Sequence, residues 1–109
     1  MIPLLKTSLP PSSNLTKIIT EVVKTGIIAE GEYVYDFEKK FLHKFDYKYG
    51  LAVSSGTAAL HASLAALGIG RGDEVITTPM TAEPTNLSIL HAGAVPVFAD
   101  INLDDGNIC

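Results

Sequence analysis

Ser54-Ser55-Gly56-Thr57 is the stretch of this 109-residue chain whose residue types are best suited to chemistry. An apolar run, Leu51-Ala52-Val53, stops at the two serines, turns on the glycine and restarts as an alanine-rich pattern at Ala58. A strand that enters a helix through such a turn leaves backbone N–H groups with no intrahelical acceptor. Those donors, the positive end of the helix dipole and the neighbouring hydroxyls suit a phosphate group, and so a phosphorylated ligand or cofactor. An ordinary strand-to-helix turn accounts for the same residues if Ser54 or Ser55 caps the helix and Gly56 supplies the bend. The turn is not a P-loop, which needs a lysine that this segment lacks.

A second group of polar residues, Thr77-Thr78-Pro79-Met80-Thr81-Ala82-Glu83-Pro84-Thr85, follows the next expected strand. In open α/β sheets, ligands sit at the carboxyl ends of strands, so Ser54 to Thr57 and Met80 to Thr85 are expected to face one crevice. Thr81 and Thr85 also fit helix capping. Glu83 is either a functional carboxylate or an acid complementing a helix dipole. Gly68-Ile69-Gly70-Arg71-Gly72 has a superficial dinucleotide-fingerprint look. It follows a helix and precedes a strand, the reverse of what that fingerprint requires. His43 reads as solvated, His61 as a hydrogen-bonded core residue and His91 as a complement to a helix C-terminus. No spacing suggests a metal site. Asp100 ends a strand at the ligand edge and is a possible site residue; Asp104 and Asp105 read as loop caps.

The elements that must position these residues follow from periodicity. Met1 to Pro11, with Pro3 and Pro10-Pro11, reads as extended. Ser12 or Ser13 offers an N-cap to a helix patterned by Leu15, Ile18, Ile19, Val22 and Val23, and Gly26 stops it. A second helix carries Val34, Phe37, Phe41 and Phe45 on one face. Leu51 to Val53 is expected to be a short buried strand and Thr57 to Leu67 a helix, apolar enough to be buried on most sides. Gly68 to Asp73 is a turn, Glu74 to Thr78 a strand, Ala82 to Ala92 a helix stopped by Gly93, and Val95 to Ile101 a third strand. The fold class is therefore α/β with a mostly parallel sheet of βαβ units. Residues 1–48 form an extended segment and two helices, and residues 49–109 a βαβαβ portion. Asp104-Asp105-Gly106-Asn107 is a turn with no covering helix after it, so the chain reads as the N-terminal piece of a larger α/β protein.

Bulk properties narrow the function. With 47% hydrophobic and 18% charged residues the chain reads as globular, and its apolar content suggests surface that expects cover. A net charge of -4, with all seven lysines at or before Lys48 and only Arg71 beyond, argues against nucleic acid. The lone Cys109 forms no internal disulfide, Met1 to Lys6 lacks a charged n-region, and no apolar run approaches the roughly 18 residues of a membrane span. A cytoplasmic protein without membrane contact is expected.

Five motifs occur in order: Phe37-Glu38; Ser54 to Leu60; Gly72-Asp73-Glu74-Val75-Ile76; Thr78-Pro79-Met80-Thr81; and Gly93 to Asp100. This series resembles the DegT/DnrJ/EryC1/StrS family of pyridoxal-phosphate-dependent sugar aminotransferases over nearly the whole chain. The resemblance implies a partial large domain of a fold-type I aminotransferase. It implies a homodimer, and transfer of an amino group, commonly from glutamate, to a keto sugar carried on a nucleotide. It assigns the cofactor phosphate to Gly56, Thr57 and Ala58, with Ser55 beside them. It places the residue that stacks on the cofactor ring at Ala82, where the family usually has an aromatic. It points to Gly26, Ile28 and Glu83 for substrate. The Schiff-base lysine and the acid that pairs with the pyridine nitrogen lie downstream of these motifs in the family, so the chain itself carries no catalytic residue and is expected to be inactive alone. A dehydratase or regulatory member of the same family is an alternative. A standalone phosphate- or nucleotide-binding α/β module is the alternative from another class.

Overall fold

The computed structural model describes residues 11–109, so the extended reading of Met1 to Pro10 lies outside the described residues. The chain divides into two units, Met1–Ala52 and Val53–Cys109.

In the first unit, α1 spans Ser12–Thr25 and α2 spans Glu32–Phe45. The expected serine N-cap is corrected, because Pro11 holds that position. Its fixed φ (-49°) sets the entry, and its carbonyl accepts from the amides of Asn14 (3.2 Å) and Leu15 (3.3 Å), leaving Ser12 and Ser13 inside the helix. Gly26 stops α1 as expected. Its φ of 72° is left-handed, a conformation that costs a glycine little, and its N–H donates to the Val23 carbonyl (3.1 Å). On α2, Phe37, Phe41 and Phe45 form a tilted ladder with centroid separations of 5.9 and 4.6 Å, as their spacing at i, i+4, i+8 predicts.

Leu51 to Val53 does not form a strand. The Ala52 amide, which a ladder would need, donates instead to the Glu38 carboxylate on α2 at 2.6 Å. The boundary between the two units follows Ala52.

The second unit runs α3 (Gly56–Ala66), β1 (Glu74–Thr77), α4 (Glu83–His91) and β2 (Val95–Phe98). The two strands pair in parallel, from Glu74 opposite Val95 to Thr77 opposite Phe98. A parallel pair needs a crossover, which α4 supplies by packing on β2 and on α3. Glu83 and Pro84 open α4, where an acid and a missing N–H are both tolerated. Gly93 ends it with φ 85°. The core is small: Ile89 and Ala94 are its buried apolar residues, with Thr77 and Ser88 buried beside them.

Three expectations fail here. No residue of α3 is buried, and Leu60 is 42% exposed, because α4 is the one helix packed against α3 among the described residues. His61 is exposed and makes no hydrogen bond; its ring lies edge-on to that of His91 with centroids 6.0 Å apart. The third strand stops at Phe98, short of Ile101. Asp100 Oδ1 takes the Ile101 amide (2.8 Å), and turns at Asn102 and Asp105 fold the chain back so that Ile101 meets Ile108 in an antiparallel bridge.

Candidate functional site

Ser55 precedes α3 in an extended conformation (φ -162°, ψ 164°) that aims its side chain back over the first turn. Its Oγ accepts from the Ala58 amide at 3.1 Å, and its carbonyl accepts from the Ala59 amide at 3.0 Å. The N–H groups of Gly56 and Thr57 and the Thr57 hydroxyl have no acceptor among the described residues. Ser55 is thus a helix cap, and the two amides it leaves open belong to the residues before Ala58. Gly56 is exposed, and a Cβ there would meet no atom within 4 Å. Two open amides, one hydroxyl and the dipole of an 11-residue helix are groups that favour an anion, with no cationic side chain among them. Because the Ala58 amide is held by Ser55, the open donors are those of Gly56 and Thr57.

The second polar group lies where β1 gives way to α4, in the same unit. Ala82 is the exposed N-cap position of α4, with Glu83 exposed in the first turn. Neither Thr81 nor Thr85 caps α4; the Thr81 hydroxyl donates to the Thr85 hydroxyl at 3.1 Å. Sequence reasoning placed Thr77 in this polar group but missed its partner, Asn86. Thr77, 4% exposed, donates its hydroxyl to Asn86 Oδ1 at 2.7 Å, and Asn86 Nδ2 donates to the Thr78 carbonyl at 3.2 Å. The available signal was a threonine ending a strand followed by an asparagine one turn inside the next helix.

Gly26 and Ile28 belong to the first unit. Ile28, 77% exposed, lines an open cavity of about 340 Å³ with Val22, Ile27, Gly31 and Tyr33. Two tyrosines of α2 brace this loop: the Tyr33 phenol donates to Glu21 on α1 (2.8 Å) and the Tyr35 phenol to Glu30 (3.0 Å). The hydrogen bond to Glu21 holds the Tyr33 phenol above its ordinary value of 10.0, helped by partial desolvation and by the charges of Glu21 and Glu32. A raised folded value means that this link contributes fully below the unfolded phenol's titration and is lost as pH rises through the folded one. Glu21→Gln is expected to bring the Tyr33 midpoint down towards 10.0 in an ultraviolet phenolate titration, with Tyr33→Phe identifying which phenol moved. No group of three or more His, Cys, Asp or Glu close enough for a metal ion occurs among the described residues, and no helix there is long and apolar enough to cross a membrane.

The model of the DegT/DnrJ/EryC1/StrS aminotransferase family matches residues 12–109. The spore coat polysaccharide biosynthesis protein SpsC of Bacillus subtilis is 48% identical over 90 residues, covering 83% of this chain and 23% of that protein. The GDP-perosamine synthase of Vibrio cholerae is 38% identical over 102 residues (93% of this chain, 27% of that protein). The 3-oxo-glucose-6-phosphate:glutamate aminotransferase of B. subtilis is 40% identical over 92 residues (82% and 20%). The crystal structure of NtdA from B. subtilis with its cofactor PMP bound superposes with a TM-score of 0.77 at 38% identity, covering 83% of this chain and 21% of that one. The chain therefore spans about a quarter of the length of the curated relatives it matches.

Proposed function

Taking as premise that this chain belongs to the DegT/DnrJ/EryC1/StrS aminotransferase family, we propose that it supplies the cofactor-phosphate grip of a sugar aminotransferase. The family's cofactor is pyridoxal 5′-phosphate, and a related structure holds its amine form. When bound, that group supplies the electron sink for moving an amino group. The residues present suit its phosphate end: two open amides, one hydroxyl and a helix dipole meet a doubly charged anion. Gly56 and Thr57 bind the phosphate, and Ser55 holds the turn in shape by capping α3. Ala82 stands where the family usually has a ring-stacking aromatic, so the pyridine ring is gripped less firmly from that side.

The substrate reading is a keto sugar, linked to a nucleotide, that receives an amino group from glutamate. The names of the similar proteins support its parts: a GDP-perosamine synthase bears on the nucleotide link, and a 3-oxo-glucose-6-phosphate:glutamate aminotransferase bears on the keto sugar and on glutamate as donor. Gly26, Ile28 and Glu83 serve substrate binding, and the complete enzyme works as a cytoplasmic homodimer. Residues 49–109 form the first portion of its cofactor-binding domain, with the two preceding helices in 1–48. The family pattern places the Schiff-base lysine downstream of the motifs matched here, and no lysine follows Lys48.

The observation that carries this reading is the pair of unbonded amides at Gly56 and Thr57, where the family's phosphate turn falls. The test is incubation of the purified chain with pyridoxal 5′-phosphate and glutamate, followed by chromatography of the cofactor. Cofactor is expected to bind without glutamate-dependent conversion to pyridoxamine 5′-phosphate. Stoichiometric conversion would overturn the division of labour proposed here.

A further inference from the structure

We propose that Asn86 is a positioning residue for the cofactor's ring, acting through Thr77 and the Thr78 carbonyl on the loop that carries Ala82. This rests on the reading of α3 as the phosphate seat. The carboxamide ties α4 to the start of residues 78–82: Oδ1 accepts the hydroxyl of Thr77, the last residue of β1, and Nδ2 donates to the Thr78 carbonyl that opens the loop. Further bonds fix the interior. The Met80 amide donates to Thr78 Oγ1 (3.1 Å), the Thr85 amide to the Ala82 carbonyl (3.0 Å), and the Thr81 hydroxyl to that of Thr85. Ser88, 2% exposed, donates to the Thr85 carbonyl at 2.7 Å and anchors the helix end of the network.

The residue type at position 82 gives this network its role. An aromatic side chain there would meet the ring over a broad face, and that contact would help to place the loop. A methyl group offers little such surface, so the approach of Ala82 depends on where the backbone already stands. Thr77 has one hydroxyl partner, and burial makes that bond costly to lose, so the loop is pre-set by Asn86 before any ligand arrives.

Two probes separate ring positioning from simple stapling of α4: inorganic phosphate, which needs only the α3 seat, and pyridoxamine 5′-phosphate, which also presents the ring. Calorimetric titration of the full chain gives the ratio of their affinities. Thr77→Val is expected to leave phosphate within about twofold and to weaken pyridoxamine 5′-phosphate about fivefold, the scale of one lost hydrogen bond. Thr77→Ser, which keeps the hydroxyl, restores the ratio. If Thr77→Val does not fold by circular dichroism, Asn86→Asp takes its place. It keeps the acceptor for Thr77 and removes the donor to Thr78, and the same fall in the ratio is expected. An unchanged ratio alongside a lower melting temperature would overturn the proposal and leave a structural staple. If the unsubstituted chain bound neither probe, the phosphate seat itself would fall, and the positioning role with it.

Discussion

Gly56→Pro is expected to keep α3 folded and to weaken pyridoxamine 5′-phosphate binding at least about tenfold, the effect of losing one charge-assisted hydrogen bond of roughly 1.5–3 kcal/mol. Proline is well tolerated at the first position of a helix, where the N–H has no intrahelical acceptor. It requires the preceding residue to be extended, and Ser55 already is, with φ -162° and ψ 164°. The β-carbon of the ring would meet nothing within 4 Å. The substitution therefore removes a donor and leaves the scaffold, a separation that replacing the Ser55 cap would not give. Circular dichroism and titration of the same sample check both halves. Unchanged affinity with an intact helix would mean that the Gly56 amide does not face the ligand.

Ile89→Ala is expected to destabilise the second unit by about 2–5 kcal/mol, the range for truncating a buried aliphatic side chain. Ile89, 4% exposed, is the one large apolar side chain buried there, and it sits on α4, the helix that packs on both α3 and β2. Whole domains are stable by only about 5–15 kcal/mol, so this one change removes a large share. Urea titration followed by circular dichroism checks it, with Ile108→Ala, half-exposed, as a control expected to cost under about 1 kcal/mol. A loss below that control would place the core elsewhere.

The features of the site set by local chemistry were readable in the sequence. The αL glycines at 26 and 93, the Ser55 cap and the open start of α3 depend on neighbours a few residues away, and residue types at fixed spacing report them. What failed to read through depended on partners distant in sequence. Leu51 to Val53 has strand composition, yet a strand exists only with a ladder, and the Ala52 amide is taken by Glu38. His61 lies in an apolar run, but apolar character reports what a helix can cover and not what covers it; with α4 the one helix packed on α3 among the described residues, the imidazole stays exposed. The Thr77–Asn86 bond joins a strand end to a helix across a loop, and only the residue types at its two ends signalled it. The family resemblance, by contrast, rested on ordered motifs and is matched over residues 12–109.

The central claim is that the N-terminus of α3 takes the cofactor's phosphate through the Gly56 and Thr57 amides. The most direct measurement is a nitrogen–proton correlation NMR titration of the full chain with pyridoxamine 5′-phosphate, and in parallel with pyridoxamine. Neither probe has an aldehyde to react with the seven lysines. The account predicts that the phosphorylated probe moves the Gly56 and Thr57 amide resonances most, with Ala58 less affected behind its bond to Ser55, and that pyridoxamine leaves all three in place. Equal shifts with both probes, or shifts confined to other residues, would contradict it.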